Sequence, residues 1–576
     1  MTAISVWAPS AERVDVTVRD RTAALRPAAR GWWRADVSID HGDDYTFSLD
    51  GGEGRPDPRS AWQPKGVHGP SRHVDHDRFM WTDAHWCPPP LRSAVIYELH
   101  VGTFTPEGTF EAVIERIDYL ASLGVTAIEL LPANEFPGER GWGYDGVNLY
   151  APHHAYGGPE GLKKLVGACH GAGLAVIMDV VYNHLGPAGN YLGEFGPYFT
   201  DTYKTPWGDA VNLDQAGSSE VRNFFIDNAL MWLRDYHCDG LHVDAVHALL
   251  DRSALHFLEE LTQRVRRYEA EANRPSWLIA ESDLNDPRLV RSPAIGGFGM
   301  DAQWSDDWHH ALHSLLSGER DGYYADFGSL SQVARALRHA YVFSGDYSDF
   351  RSRNHGRPTT GLPGSRFLGY LQNHDQIGNR AVGDRSSTLM STGLLKVGAA
   401  LVFTAPFVPL LFMGEEWGAT TPWQYFTDHD AELGRAVSEG RRREFEAFRW
   451  APDDVPDPQD EQTFARSKLD WSEASGEPHA ALFEWHRELI ALRRSTLALL
   501  DDDLAATTVR FDEDKRWMVV ERGSITIACN IGAKPVELPL ARERRATLLL
   551  TSAHEPGAAN GVVRLPAESV TIYSAR

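Results

Sequence analysis

The chain has 576 residues, with 56 Lys and Arg against 80 Asp and Glu, a formal net charge of −24. That length exceeds one domain at roughly 100–200 residues each, and the acidic balance argues against nucleic acid or an anionic membrane as the main partner. A composition of 42% hydrophobic and 24% charged residues excludes disorder, collagen and coiled coil as the main theme.

Residues 4–50 alternate. Val14, Val16 and Val18 share one face, followed by Ala35, Val37 and Ile39, then Tyr45, Phe47 and Leu49, with Gly31 and His41-Gly42-Asp43-Asp44 as turns. Period-two segments at this spacing predict a small antiparallel β-sandwich, placed at residues 1–88 as a carbohydrate-binding-like domain. Cys87-Pro88-Pro89-Pro90 reads as a stiff linker. From residue 92 the rhythm changes. Apolar strands are predicted at 94–99, 125–131, 175–180, 240–244, 277–282, 300–304, 367–372 and 399–404, mostly separated by amphipathic helices. Residues 110–123 carry Val113, Ile117 and Leu120 on one face, with Gly124 at the C′ position. Residues 220–236 bury Val221, Phe224, Phe225, Trp232 and Leu233 behind Ser218-Ser219 as caps. Eight alternations predict an α/β fold, a (β/α)8 TIM barrel over residues 92–500, with insertions at about 185–218 and 305–365. The last barrel helix is placed at 480–499. Short strands at 507–511, 517–521, 525–530, 546–551 and 570–573 predict a C-terminal antiparallel β-domain over 501–576.

Four cysteines, Cys87, Cys169, Cys238 and Cys529, lie far apart without a CxxC. This predicts neither a disulfide framework nor a zinc site, and a reducing, cytoplasmic setting. The N-terminal MTAISVWAPSAERVDV lacks the basic start and apolar run of a signal peptide. The most apolar stretch, Val397 to Met413, is interrupted by Pro406 and Pro409 and reads as buried strand plus loop rather than a membrane span.

Single carboxylates mark the strand ends: Asp179 after AVIM, Asp244 after GLHV, Glu281 after WLIA, and Asp375 after FLGYLQNH. Each alone fits a helix cap or turn. Four of them at the end where barrel enzymes place active sites, beside Asn183, His184 and His374, predict one convergent rim. Paired carboxylates without cysteine ligands suit glycoside chemistry, in which one attacks the anomeric carbon and another protonates the leaving oxygen. A divalent metal site built from Asp, Asn and His is the rival reading.

DVVYNH (179–184), GLHVDAVH (240–247), IAESD (279–283) and LQNHDQ (371–376) resemble, in order, four signature segments of the α-amylase superfamily. The resemblance implies Asp244 as nucleophile, Glu281 as general acid/base and Asp375 as the carboxylate that grips sugar hydroxyls. It further implies that His184 and His374 bond the same sugar ring, Asp179 and Asn183 support the site, and Tyr144 stacks beneath the ring. His247, three residues past Asp244, is placed either on the leaving-group side or in a supporting structural role. The family pattern has arginine where this chain has His242. Because residues i and i+2 of a strand share a face, His242 is expected beside Asp244 as its orienter, charged only at mildly acidic pH.

Three longer segments, ELLPANEFPGERGWGYDG (129–146), GNYLGEFGPYFTDTYKTPWGDAVNLD (189–214) and LLFMGEEWGATTPWQYFTDHD (410–430), are similar to the malto-oligosyltrehalose trehalohydrolase family. That likeness implies hydrolysis of the α-1,4 bond next to a terminal trehalose and a malto-oligosyltrehalose synthase as pathway partner; no cofactor is expected, and the sequence shows no rich cluster of metal ligands. Recognition of an α,α-1,1-linked disaccharide needs a polar and aromatic wall, for which Trp304, Glu415, Glu416, Trp417, Trp423, Tyr425 and Asp428 are the candidates. Alternatives are a branching transferase using the same nucleophile, and a catalytically silent sugar-binding barrel.

Overall fold

The computed structural model describes residues 2–446, 455–539, 546–553, 557–559 and 562–575. Parts of the predicted C-terminal domain (540–545, 554–556, 560–561 and 576), and Met1 of the N-terminal one, lie outside the described residues.

Eight parallel strands close into a barrel: β1 Ile96–Leu99, β2 Ala127–Leu130, β3 Ala175–Val180, β4 Gly240–Val243, β5 Trp277–Ala280, β6 Ala302–Trp304, β7 Phe367–Gly369 and β8 Val408–Phe412. Alternation sorts each strand into two faces. Ile96, Ala127, Ile177, Ile279, Leu368 and Leu410 fill the barrel interior, joined by Trp304 and Tyr370. Tyr97, Ile128, Met178, Leu241, Leu278 and Leu411 face the surrounding helices. In register, Glu98 of β1 opposes Glu129 of β2, and Asp179 of β3 opposes His242 of β4. Four charged or titratable side chains on consecutive strands therefore enter the barrel near its C-terminal end.

The predicted α/β barrel is present, with one strand displaced. Residues 399–404, expected as a strand, belong to the helix Thr392–Thr404. Ser391 caps its start by accepting from the Leu394 amide, and Pro406 lies just past its end, so the eighth strand begins only at Val408. The expected continuous helix over 110–123 is two, Phe110–Ile114 and Ile117–Leu123, ending at Gly124 in the left-handed conformation (φ 97°). Ser218 and Ser219 lie inside the helix Ser218–Asp235, and its N-cap is Gly217. Among the described residues, no helix is long and apolar enough to cross a membrane.

Before the barrel, a three-stranded and a four-stranded antiparallel sheet pair Thr2–Trp7 with Trp32–Val37, and Val14–Val18 with Asp44–Leu49. Trp32 Nε1 bonds Glu220 at 3.1 Å, and Arg59 bonds Asp227 at 3.0 Å, tying this unit to the helix after β3. After the barrel, a five-stranded antiparallel sheet holds the predicted C-terminal strands. A three-stranded sheet containing Val536–Pro539 and Val562–Leu565 was not expected. The stretch after β3 contains the hairpin Phe199–Thr205/Gly208–Val211, and the stretch after β6 contains the helices Asp306–Ser317 and Leu330–His339.

Candidate active site

Asp244 and Glu281 leave β4 and β5 side by side. The Glu281 amide donates to the Val243 carbonyl at 3.1 Å, and the Val246 amide donates to the Glu281 carbonyl at 3.0 Å. Glu281 Oε2 accepts from the Ala245 amide, the peptide that follows Asp244, at 3.1 Å. Ala245 adopts a left-handed conformation (φ 41°) that turns this amide toward the acid. Non-glycine residues pay for that conformation, and such strain gathers at functional sites. Asn183 donates from Nδ2 to Asp244 Oδ2 at 2.5 Å and to its carbonyl at 3.0 Å, fixing the carboxylate.

Asp375 sits in the first turn of the short helix His374–Gly378, whose N-cap Asn373 accepts from the Asp375 amide at 2.9 Å. The Asp375 side chain is 42% exposed, lies 3.5 Å from His374, and its charge acts on both Glu281 and Asp244. His374 donates from Nδ1 to Glu98 at 2.6 Å, and its Nε2 meets the Tyr144 hydroxyl at 2.6 Å. That hydroxyl donates to Asp179 at 2.7 Å. Tyr144 and His374 also stack at 5.4 Å with their planes 17° apart. His184 pairs with Asn183 at 2.6 Å and with the Tyr144 carbonyl at 3.0 Å. One connected network thus joins residues from four motifs.

The electrostatics are those of a crowded acid cluster. Burial, reinforced by Asp179, raises Asp244 to about 7, while the Asn183 hydrogen bond and His242 oppose the rise. Burial raises Glu281 well above the carboxylate range, and Asp375 and Asp244 push it further. Burial disfavours charge on His374, but Glu98 and Asp375 outweigh it and raise the imidazole to about 9. Burial lowers His184 to about 4, against the pull of Asp145 and the Tyr144 carbonyl, which favour its charged form. The site is therefore poised with one protonated carboxyl beside an ionisable one, the arrangement that general acid and nucleophile require.

His242 corrects the sequence expectation twice. Its ion-pair partners are Glu129 at 3.1 Å, Asp179 at 3.4 Å and Glu281 at 3.7 Å, not Asp244. Burial opposes its charge, but Asp179 and Glu129 outweigh burial and raise its pKa well above the ordinary histidine value.

The wall candidates are held in packing, stacking or ion-pair contacts. Trp304 points into the barrel and stacks on His242 at 4.4 Å. Glu416 and Trp417 are fully buried on the outer side of β1, where Glu416 accepts from Tyr97 at 3.0 Å and Tyr119 at 2.9 Å. Gly414, in the left-handed conformation (φ 83°), turns the chain just before them. Glu415 is buried as well, and Trp423 stacks on Trp142 at 4.4 Å. Tyr425 packs edge-on against Trp142, and Asp428 pairs with Arg140 at 3.2 Å. His247 is exposed on the turn after Asp244.

Sequence reasoning missed Glu98 and Glu129, although Glu98 lies in the predicted strand 94–99 and Glu129 opens the segment 129–146, both at inward-facing positions. It also missed Trp207, which is half exposed at the tip of the hairpin after β3 and lies flat on His184, with centroids 4.3 Å apart and planes 4° apart. Among the described residues, Glu135, His153 and His154 form one trio whose ligand atoms lie close enough to hold a metal ion. His154 there already bridges Glu135 and Glu139, at 2.6 and 3.1 Å.

Residues 71–205 match the family model for the alpha amylase catalytic domain, and residues 502–572 match a domain of unknown function. A malto-oligosyltrehalose trehalohydrolase of Arthrobacter ramosus is 52% identical over 542 residues, covering 93% of each chain. One from Rhizobium sp. (strain M-11) is 50% identical over 579 residues, 98% of this chain and 96% of that one. A crystal structure from Salmonella typhimurium whose name assigns it to the alpha amylases superposes with TM-score 0.91 at 38% identity, covering all of this chain and 97% of the other. With the four motifs converging on one rim, the chain belongs to the malto-oligosyltrehalose trehalohydrolase family of the α-amylase superfamily.

Proposed function

We propose that the protein is a retaining glycoside hydrolase that cleaves the α-1,4-glucosidic bond next to the terminal trehalose of malto-oligosyltrehalose. The products are trehalose and a malto-oligosaccharide. The observation that carries this reading is the half-identity, over nearly the whole chain, to relatives bearing that name. The paired acids on neighbouring strands support the chemistry.

Asp244 attacks the anomeric carbon of the glucose on the non-trehalose side while Glu281 gives its proton to the departing trehalose oxygen. A covalent glycosyl–Asp244 ester forms, and the glycosidic bond breaks. Glu281, now a carboxylate, takes a proton from water as the water oxygen attacks the same carbon and releases Asp244. Two inversions give net retention, which requires carboxyl groups about 5–5.5 Å apart. Adjacent strand ends locked through the Ala245 amide are consistent with that spacing. Asp375 accepts hydrogen bonds from sugar hydroxyls and stabilises positive charge at the transition state, and His374 and His184 bond the same ring. Asn183 and Asp179 hold the site in place, Tyr144 offers an aromatic face, and the open side of Trp207 offers another.

A cytoplasmic setting, with a synthase supplying the substrate, is part of this reading; four unpaired cysteines support it. So is a division into residues 1–88, 92–500 and 501–576. The deciding experiment incubates the protein with malto-oligosyltrehalose beside a plain malto-oligosaccharide of equal length. Trehalose release, strong preference for the first substrate and an initially α-configured product are expected. Absence of trehalose, or new α-1,6 linkages, would overturn the assignment.

A further inference from the structure

His242 is fully enclosed inside the barrel. Its Nδ1 lies 3.1 Å from Glu129 on β2 and 3.4 Å from Asp179 on β3, and its Nε2 lies 3.7 Å from Glu281 after β5. The flat face of Trp304 from β6 lies 4.4 Å away, at 15° to the imidazole plane. An indole face attracts a cation, and carboxyl groups from three strands surround the ring. A neutral imidazole would leave Glu129 and Asp179, both buried, without a counter-charge, a costly state.

Glu129 is the informative partner. It is 1% exposed, and neither of its oxygens makes a hydrogen bond. Asp179, by contrast, accepts from Tyr144, and Glu98 is committed to both the side chain and the amide of His374. A buried carboxylate with no hydrogen bonds of its own is destabilising unless a charge answers it, and His242 is the group that does. We propose that His242 is a permanently charged positioning residue for Glu281, and that Glu129 is the residue that keeps it charged.

The role of Glu281 rests on the function proposed above. As the glycosyl–enzyme forms, negative charge leaves Asp244 and appears on Glu281, one strand over. A cation fixed 3.7 Å from Glu281, whose field also favours the charged form of Asp244, answers the charge in both states, so nothing has to reorganise during the step. Glu129, Asp179, Asp244 and Glu281 are the titratable groups that face the imidazole from β2, β3, its own strand and β5, while β6 contributes only Trp304. Removing the Glu129 charge leaves Asp179 to oppose burial with less help, and the His242 proton is then lost within an accessible pH range.

Two measurements on the full chain test this. The first follows ring-15N histidine signals of the wild type from pH 5 to 9, with His242 assigned by its absence in His242→Asn. The signal is expected to stay that of an imidazolium throughout, and titration between pH 5 and 8 would overturn the proposal. The second compares pH profiles of kcat/KM, on malto-oligosyltrehalose or on whichever glucan the protein turns over. In Glu129→Gln the alkaline limb is expected to move down by at least about one unit, roughly tenfold in rate at a pH above it. Adding His242→Arg to Glu129→Gln, a charge that does not titrate, is expected to return that limb to its wild-type position. An unshifted limb in Glu129→Gln would overturn the role given to Glu129. Should Glu129→Gln fail to fold, the wild-type titration still decides. A chain that releases no trehalose but holds a charged His242 would sink the substrate assignment and leave the charge pairing standing.

Discussion

At the N-terminal end of the barrel, Asp239 at the head of β4 and Asp83 from the segment entering the barrel close on His170. The ring nitrogens of His170 reach the two acids at 2.9 and 2.8 Å. Asp239 also accepts from the Val176 amide at 2.9 Å and from Trp86 at 2.8 Å, and Asp83 is met by His237 at 2.8 Å and Arg274 at 3.3 Å. At the opposite end, Glu98, Glu129, Asp179, Asp244, Glu281 and Asp375 crowd around two histidines, and several of their atoms make no hydrogen bond. Both ends bury histidine among carboxylates. At the lower end charges cancel and donors match acceptors, which holds the segment before the barrel onto it. At the upper end acids outnumber cations, so protons are held where carboxylates would ordinarily release them. One arrangement is built for stability, and the other spends stability on reactivity.

The contrast breaks most sharply on the acids themselves. Glu281→Gln or Asp244→Asn is expected to lower kcat by about 10⁴-fold or more, with the urea midpoint unchanged or higher because one acid of a crowded, buried cluster is gone. A fall in stability of several kcal/mol would mean that the upper cluster is structural after all. The reciprocal change, Asp239→Asn, is expected to cost about 3–5 kcal/mol, the usual effect of breaking a buried pair, with kcat of the folded protein retained. Chemical denaturation beside turnover checks both.

The pH dependence of stability sharpens the same comparison. Burial would raise Asp83, but hydrogen bonds from His170 and His237 hold it well below the carboxylate range. Its contribution is fully present above the unfolded value near 4 and is lost as pH falls toward its depressed folded value. Burial would lower His170, but Asp239 and Asp83 raise it. Its contribution is fully present below the unfolded value near 6.5 and is lost as pH rises through the folded one. Urea midpoints in Asp239→Asn are expected to decline less steeply on the alkaline side than those of the wild type, by the share that His170 contributes. The smallest effect belongs to the rim: Trp207→Ala is expected to raise KM by roughly 2–10-fold, as the loss of about 0.5–1.5 kcal/mol of stacking implies, without changing the unfolding midpoint. An unchanged KM would remove Trp207 from the substrate path.

Seven of the eight strands, and the acids at their ends, could be read from local pattern, because a buried parallel strand is a short apolar run and its last side chain has a defined face. The eighth could not. Residues 397–413 are apolar throughout, without the periodicity that separates a buried helix from a buried strand, and Pro406 divides them in a way that composition does not reveal. Glu98 and Glu129 sit inside short strands whose inward face only the closed barrel defines. Glu416 and Trp417 show the converse. Their types suit a sugar wall, yet the left-handed turn at Gly414 sends them behind β1, into contact with Tyr97 and Tyr119.

By itself the sequence determined which chemical groups are available and in what order they come. Four strand-end motifs and their spacing follow from local periodicity and residue type, which need no knowledge of distant neighbours. Tertiary structure decided which of those groups share a charge. His242 answers Glu129, Asp179 and Glu281 because barrel closure puts strands separated by about 40 to 110 residues within ion-pair reach, and electrostatic interaction depends on distance through space rather than along the chain.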